Sequence, residues 1–412
     1  MERGGANPGR VAAARALIAV DQGDHVEDAL AGLLDTKVGD DRGLAWFLAL
    51  GALRHRGHVD AALRPWLSRP LGSLDPDVRA VLRVGAFEKL YARTAPHAVV
   101  HQAVEVAAAV GAGRAKGMVN AVMRRVEAPT GLTRAEAADH PTWIVDRWVK
   151  RYGEEAALAW CRDNNEPPPL FVVSADDGYG EALKAAGLGA EPAIVLGAVV
   201  PRCWRVEGLH GGVPTLPGFA EGRFWVQDAA SVAVADLVPE GPVLDACAAP
   251  GGKSFRLRAR GMAVLAVDHS AERLALLSSN ARRLGLDIPT RVHDWTKGPL
   301  EGELHPTVLV DAPCSALGTV RRHPEVRWRR QPEELRGLAD RQLRILTHAS
   351  ASVAPGGALV YAVCSPELEE GPEVIAAFVA ANPAFVVDEV RSTAPPVNGE
   401  DAFFGARLRH GG

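Results

Sequence analysis

The chain has 412 residues, which is too long for one ordinary hydrophobic core and predicts two or three domains. Hydrophobic residues make up 47% and charged residues 23%, so a largely disordered chain is excluded. The net charge of -4 argues against a generally basic nucleic-acid binder, although a total charge hides local patches.

The five cysteines are widely spaced and form no CxxC pair. This pattern indicates neither a disulfide framework nor a zinc site, and it favours a reducing compartment. No signal-peptide pattern is present, and no apolar run approaches the ~20 residues that span a bilayer. We therefore expect a cytoplasmic monomer with no metal and no membrane contact.

The first part of the chain has a helical pattern from Arg10 to about Val126, with breaks at Gly, Pro and Asp. In "DPDVRAVLRVGAFEKLY", Asp75 is placed to cap a helix that starts at Pro76. The apolar residues of that helix fall on one face: Val78, Val81, Leu82, Ala86 and Leu90. Residues 1–135 are predicted to form an all-α bundle.

The rest of the chain divides in two. Residues 136–226 are predicted to contain a linker helix and a small α+β segment, because "NNEPPPLFVV" ends a helix and short strands follow. From Gln227 onward, apolar strands such as "PVLDACA", "AVLAVDH" and "TVLVDAP" alternate with helical stretches. That alternation predicts a Rossmann-like, doubly wound α/β domain over residues 227–412.

A turn of small residues follows the first strand of this domain, in "VLDACAAPGGKS". It is neither a Walker loop nor a GxGxxG turn, but its small side chains let backbone amides approach a ligand. Asp268 and Asp294 end the next two strands, where acids bind the ribose and the base of a nucleotide. The alternative is a tight turn with two solvated acids. The candidate loop residues are Cys247, Ala248, Ala249, Pro250, Gly251, Gly252 and Lys253.

Two further strands each end at a Cys-Ser pair, in "VLVDAPCSALG" and "LVYAVCSPELEEG". The first contains Asp311 and Cys314, and the second contains Cys364. Any single cysteine can be an inert buried thiol, and that is our interpretation of Cys161 and Cys203.

These segments, with "VDAPCSALGTVRRHPEVRW", resemble the motifs of RNA cytosine-5 methyltransferases, above all the bacterial small-subunit ribosomal RNA methyltransferase B (RsmB/Sun) type. The resemblance covers nearly the whole chain, and the helical domain is similar to NusB. It implies S-adenosylmethionine bound by the 247–253 loop, Asp268, Asp294 and Asp311. It also implies that Cys364 is the nucleophile and that Cys314 helps release the product.

The chemistry gives the two thiols a reason. Carbon 5 of cytosine is a poor nucleophile until a thiolate adds to carbon 6. Asp311 is placed to share a proton with ring nitrogen 3, and the second thiol can assist loss of the carbon 5 proton. DNA cytosine-5 methyltransferases use the Pro-Cys cysteine as nucleophile, so the assignment to Cys364 depends on the RNA-family resemblance.

The sequence departs from the family pattern at three positions: Val363 replaces Thr, Gly371 replaces Asn and Ala402 replaces Gly.

A basic segment, "RRHPEVRWRR", directly follows the Pro-Cys turn. Arginine binds phosphate in a forked geometry and Trp stacks on unpaired bases, which favours RNA binding by Arg321, Arg322, Arg327 and Trp328. The alternative is a solvated basic loop. The resemblance to NusB implies a second RNA contact near Arg114, Lys116, Arg124 and Arg125, although a solvated helix face fits these charges nearly as well.

The function expected from the sequence is methylation of cytosine carbon 5 in RNA, with 16S-type ribosomal RNA as the substrate. Two alternatives stay open: a transfer RNA cytosine-5 methyltransferase, and a non-catalytic RNA-binding protein whose methyltransferase domain has decayed. A small-molecule or protein methyltransferase would have no use for paired thiols.

Overall fold

The computed structural model describes residues 5–34 and 41–411. The chain forms two compact units. The helical unit comprises the chain up to Pro167 together with Val320–Arg329, and the sheet unit comprises Pro168–Thr319 and the chain from Arg330 onward.

The helices of the described residues are α1 Pro8–Gln22, α2 Val26–Leu33, α3 Arg42–Arg54, α4 Arg56–Leu63, α5 Pro76–Tyr91, α6 Pro96–Ala109, α7 Lys116–Arg125, α8 Arg134–Ala137, α9 Thr142–Tyr152, α10 Glu154–Asp163, α11 Tyr179–Ala185, α12 Ala229–Ala235, α13 Gly252–Ala259, α14 Ala271–Arg283, α15 Val326–Arg329, α16 Glu334–Ser350 and α17 Pro372–Ala381. The strands are β1 Leu170–Ser174, β2 Gly189–Val195, β3 Ala198–Glu207, β4 Phe224–Val226, β5 Val243–Asp245, β6 Val264–Asp268, β7 Thr290–Val292, β8 His305–Asp311, β9 Val353–Val363, β10 Phe385–Ser392 and β11 Phe404–His410.

The predicted all-α bundle is confirmed in the helical unit, where α1 to α7 share one core of alanine, leucine and valine side chains. Helix α5 begins at Pro76 as predicted, and its apolar face is buried at Val78, Val81, Leu82 and Ala86. Each buried valine or leucine stabilises the fold by about 1.5–3 kcal/mol. Asp75 occupies the predicted N-cap position, but its side chain accepts no capping hydrogen bond from the helix.

The predicted Rossmann-like sheet is also confirmed. In the described part of the sheet unit, seven strands lie in the order β10-β11-β9-β8-β5-β6-β7. Strands β7, β6, β5, β8 and β9 are parallel, while β11 and β10 are antiparallel. Since β5 has β6 on one side and β8 on the other, the chain order reverses at β5. Ligands bind beside the carboxyl ends of the strands at such a switch point.

A separate four-stranded antiparallel sheet, in the order β2-β3-β1-β4, is formed within residues 170–226. This is the predicted small α+β segment. Helices α8 to α10 belong to the helical unit rather than to this segment, and the three-domain boundaries at 135 and 226 stay a prediction. None of the described helices combines the length and apolar character needed to cross a bilayer.

Candidate active site

The small-residue turn lies at the carboxyl end of β5, directly before α13. The backbone N–H groups of Ala246 and Ala248 donate to Leu309 and Val267, on the strands to either side, at 2.8 and 2.9 Å. Gly251 has φ +118°, a conformation that an L side chain rarely adopts, and a Cβ there would lie 2.3 Å from the Phe255 ring. Glycine is therefore required where the turn enters the helix.

The acids predicted from the strand ends lie along the same edge of the sheet. Asp268 is 3% exposed and accepts hydrogen bonds from the backbone N–H groups of Ala249 (3.2 Å) and Ser270 (3.0 Å). It thereby connects the end of β6 to the loop after β5. Asp294, just beyond β7, accepts from the N–H and hydroxyl of Thr296, which lowers the pKa of the carboxyl to about 2.

An ion pair connects the loop to the next strand on the other side of β5. The Lys253 ammonium nitrogen lies 2.7 Å from Asp311 Oδ2, and 4.9 Å from the centre of the Phe403 ring. Lys253 is 6% exposed, so this contact is shielded from bulk water. The cofactor-loop candidates and the candidate acid of β8 therefore form one continuous site.

The two Cys-Ser turns meet at the ends of β8 and β9, which are adjacent and parallel. The sulfur of Cys314 lies 3.4 Å from the sulfur of Cys364, and both residues are half-buried. The sequence predicts that both thiols serve one reaction, and the short distance is what such a reaction needs.

Backbone hydrogen bonds fix this arrangement through Gly318. Its N–H donates to the Cys364 carbonyl at 3.0 Å, and its own carbonyl accepts from the Ala402 N–H at 3.0 Å. A Cβ at this position would lie 1.9 Å from the Ala402 carbonyl oxygen. Only glycine lets the two turns approach this closely.

A buried carboxylate behind the thiols was missed by sequence reasoning. Glu370 is fully buried and accepts from both hydroxyls of the Cys-Ser pairs, Ser315 and Ser365. It also accepts from the Ser315 N–H at 2.7 Å and from the Gln342 side-chain amide at 2.9 Å. The repeated serine was the available signal, since two serines that follow two adjacent cysteines must occupy neighbouring positions.

The surroundings of the Cys314 sulfur disfavour its thiolate form. The hydrogen bond to Cys364 raises the pKa of the Cys314 thiol well above its ordinary value, and burial and the nearby charges of Cys364 and Glu370 add to that effect. Two sulfurs at this distance cannot both be anionic at low cost. At most one of the two sulfurs can therefore be a thiolate at a time.

Of the other cysteines, Cys161 and Cys203 are buried and Cys247 is half-buried. Burial raises the pKa of Cys161 and of Cys203 to about 12, which agrees with their interpretation as inert. Cys247, in the cofactor loop, has its pKa raised well above the ordinary value, with burial as the main cause. A thiol that stays protonated at neutral pH is not a nucleophile, and the predicted cofactor contact of Cys247 stays a prediction.

Arg327 is placed differently from the sequence prediction. It is fully buried within the helical unit, and its guanidinium donates to the carbonyls of Asn164 (2.8 Å), Val320 (3.0 Å) and Asp139 (3.2 Å) and to the Asn165 side chain (2.7 Å). Burial lowers its pKa to about 9, which leaves it charged at neutral pH. The expectation that Arg327 contacts RNA is therefore wrong for this structure, because the side chain is fully buried and both terminal nitrogens of its guanidinium donate to groups inside the protein.

The neighbouring residues of the same segment also make contacts within the helical unit. The Trp328 indole N–H donates to the Leu53 carbonyl at 2.8 Å, and the Arg56 guanidinium lies 5.0 Å from the Trp328 ring centre. Arg321 donates to the carbonyls of Glu166 and Pro167. Arg321 and Arg322 are half-buried, and RNA binding by Arg321, Arg322 and Trp328 stays a prediction.

Comparison with known proteins identifies the family. Residues 232–409 match the family model described as 16S rRNA methyltransferase RsmB/F, and residues 7–128 match the NusB family. Ribosomal RNA small subunit methyltransferase B of Pseudomonas putida is 36% identical over 92% of this chain and 90% of the relative, and that of Sodalis glossinidius is 34% identical over 94% and 92%. The chain belongs to the 16S rRNA methyltransferase RsmB/F family.

Solved structures show the same fold. The crystal structure of PH0851 has a TM-score of 0.83 at 22% identity and covers 98% of each chain. The structure of NSun6 from Pyrococcus horikoshii has a TM-score of 0.58 at 18% identity, over 66% of this chain and 98% of that one. These structures confirm the predicted fold, whereas the resemblance to the RsmB type is confirmed by the family model and by the two relatives in Pseudomonas putida and Sodalis glossinidius.

Two departures from the family pattern lie within this site. Val363 is the last residue of β9 and is fully buried in the sheet core, where a valine side chain is satisfied by packing alone. Gly371 lies against the Phe404 ring, and a Cβ there would be 2.8 Å from it. Glycine at 371 therefore lets the Phe404 ring pack directly against the backbone next to Glu370, whose carboxylate is buried.

Proposed function

We propose that this chain methylates carbon 5 of a cytosine in small-subunit ribosomal RNA, with S-adenosylmethionine as methyl donor and a transient bond between Cys364 and the base. The observation that carries the proposal is the 3.4 Å separation of the Cys314 and Cys364 sulfurs at the ends of adjacent strands. Membership of the 16S rRNA methyltransferase RsmB/F family supports ribosomal RNA as the substrate.

The residues at the carboxyl ends of β5, β6 and β7 fit the cofactor. Asp268 uses its two oxygens for one backbone N–H each, and a carboxylate has about four acceptor positions, so it can also accept from ribose hydroxyls. The 247–253 loop would hold the methionine portion, and Asp294 would meet the base. When bound, S-adenosylmethionine supplies an electrophilic methyl group on a sulfonium.

Cys364 is the nucleophile in this proposal because the surroundings of Cys314 disfavour its thiolate, and because the resemblance to RNA cytosine-5 methyltransferases implies the nucleophile at this position. Its thiolate forms a bond to carbon 6 of the cytosine, and electron density moves to carbon 5, which takes the methyl group. Asp311 would hold a proton against ring nitrogen 3 while this charge develops, and Lys253, at 2.7 Å, keeps the Asp311 carboxyl in place.

Product release then follows from the same sulfur pair. Once the Cys364 sulfur is bonded to carbon, it is a weaker hydrogen-bond acceptor, so the main cause of the high pKa of Cys314 is weakened. Cys314 releases its proton to solvent and takes the carbon 5 proton. The electrons of that C–H bond form the carbon 5–carbon 6 double bond and expel Cys364 as a thiolate, which restores the starting state with one proton released overall.

RNA must reach this site as an unpaired or flipped cytosine, because carbon 6 is inaccessible within a stacked helix. Arg114, Arg124 and Arg125 are exposed in the helical unit, and they remain proposed RNA contacts. The cytoplasmic location and the monomeric state likewise stay predictions.

The test is methyl transfer from labelled S-adenosylmethionine to small-subunit ribosomal RNA from cells that lack the gene, followed by bisulfite sequencing. We expect one new 5-methylcytosine with the wild-type protein and none with Cys364→Ala. Label on transfer RNA alone would assign the alternative substrate. No label on either RNA, from folded protein that binds the cofactor, would refute the catalytic proposal.

A further inference from the structure

We propose that Glu370 is a positioning residue, which fastens the two Cys-Ser turns to each other and so sets the relative position of the two reacting sulfurs. This inference depends on the proposed function for its catalytic consequence, but not for its geometry. Glu370 touches neither sulfur through a hydrogen bond; it acts through the serines that follow them.

The two Cys-Ser turns are connected to each other through Glu370. Ser315 and Ser365 are each adjacent in sequence to a cysteine, and the only covalent path between the two turns runs through α16 and β9. Both serine hydroxyls donate to the same oxygen, Glu370 Oε2, and Ser315 Oγ also lies 3.1 Å from Ser365 Oγ. One carboxylate oxygen therefore holds both turns.

The other carboxylate oxygen of Glu370, Oε1, also binds the Pro-Cys turn. Glu370 Oε1 accepts from the Ser315 N–H and from the side chain of Gln342, whose amide also donates to the Pro313 carbonyl at 3.1 Å. The Tyr361 hydroxyl donates to the Glu370 carbonyl at 2.6 Å, which fixes the backbone of Glu370 to β9. The Pro-Cys turn is thus held on both sides of Cys314.

Breaking the hydrogen bonds to Glu370 costs free energy. A fully buried carboxylate is tolerated only when its acceptor positions are filled, because it has lost its hydration and needs other donors in place of water. Any movement of one turn away from the other would break a bond to this carboxylate. The cost of that movement keeps the two sulfurs at a fixed separation and orientation. Their relative position matters because a misplacement of ~1 Å can reduce a rate by about 100-fold.

The two oxygens have different partners, and this suggests a sharp test. Oε1 faces two groups that can only donate, the Ser315 N–H and the Gln342 amide, whereas Oε2 faces two hydroxyls, which can either donate or accept. In Glu370→Gln the amide oxygen can replace Oε1, and the amide nitrogen can donate to both reoriented hydroxyls. Glu370→Gln should therefore keep the attachment without the charge, whereas Glu370→Ala removes both.

The primary readout is independent of catalysis. A bifunctional thiol reagent that fluoresces only when both arms have reacted should link Cys314 to Cys364 in the wild type and in Glu370→Gln. In Glu370→Ala we expect the linking yield to fall at least fivefold, as for Cys314→Ala. Glu373→Ala is the matched control, because Glu373 is half-exposed and pairs with Arg336 instead, and it should link normally.

The catalytic readout separates positioning from general damage. For Glu370→Ala we expect kcat to fall by about 100-fold, with the dissociation constant of S-adenosylmethionine changed less than threefold, because the cofactor loop follows β5. Glu370→Gln should retain kcat within about fivefold, and its pH–rate profile should move to lower pH, since the charge of Glu370 contributes to the raised pKa of Cys314.

Three results would overturn the inference: normal linking in Glu370→Ala, equal loss of linking in Glu370→Gln, or loss of cofactor binding along with linking. An inactive wild type that nonetheless shows this linking pattern would refute the proposed reaction and leave the positioning role intact.

Discussion

The burial of Arg327 gives a prediction about stability. Replacing Arg327 with Ala removes a guanidinium that donates to the carbonyls of Asp139, Asn164 and Val320 and to the Asn165 side chain. Hydrogen bonds to a charged donor contribute about 1.5–3 kcal/mol each, but losses within one network do not add. The substitution also leaves several buried oxygen acceptors without a donor, at about 1–3 kcal/mol each, and we expect a total loss of ~3–5 kcal/mol.

The assay is urea unfolding followed by tryptophan fluorescence. Trp148 and Trp160 stack with ring centres 3.9 Å apart in the helical unit and report on its unfolding. For a slope of about 2–3 kcal/mol per molar urea, the midpoint should fall by roughly 1 to 2.5 M. The exposed Arg124 is the control, and Arg124→Ala should change stability by less than about 0.5 kcal/mol.

Binding of RNA phosphate by Arg327 would give a different result for the same variant. If Arg327 bound phosphate instead, Arg327→Ala would keep the wild-type urea midpoint and would reduce the salt dependence of RNA binding by about one unit of slope. That pair of results would refute the placement of Arg327 in the core of the helical unit.

Three further predictions concern the sheet unit. Cys314→Ala should accumulate a protein–RNA adduct that survives denaturing electrophoresis, because the carbon 5 proton has lost its acceptor; absence of the adduct there, with accumulation in Cys364→Ala, would reverse the two roles. Gly318→Ala should lower the melting temperature and the methylation rate, since its Cβ would lie 1.9 Å from the Ala402 oxygen and overpacking costs about 1–3 kcal/mol; wild-type melting would contradict the close approach. Asp268→Ala should weaken S-adenosylmethionine binding, measured by calorimetry, by at least tenfold, and unchanged affinity would remove Asp268 from the cofactor site.

The sequence predicted the parts of the site that depend on strand ends. Asp268, Asp311 and Cys364 each follow a short apolar run, and parallel strands bring their carboxyl ends to one edge of the sheet. Short continuous apolar runs therefore carried information about the site. Glu370 carried no such pattern, since it lies in "ELEEG" among three acids and only the tertiary fold makes one of them fully buried.

The basic segment was interpreted wrongly at Arg327 for a related reason. A run of arginines indicates an affinity for anions, but it does not reveal which arginine has carbonyl groups around it. The acceptors of Arg327 are supplied mainly by Asp139, Asn164 and Asn165, which are distant in sequence. The charge of a side chain can be read from sequence, whereas the groups that satisfy it depend on the completed fold.

The chain leaves the sheet unit after Thr319 and re-enters it at Arg330, and the intervening residues belong to the helical unit. A truncation that begins at Pro168 would consequently not yield a clean catalytic fragment. It would carry a loop whose Arg327 had lost its acceptors on Asp139, Asn164 and Asn165 and whose buried Val326 faced water, immediately downstream of the Pro-Cys turn. Anyone who engineers a minimal version of this enzyme must therefore redesign that loop as well as choose a new starting residue.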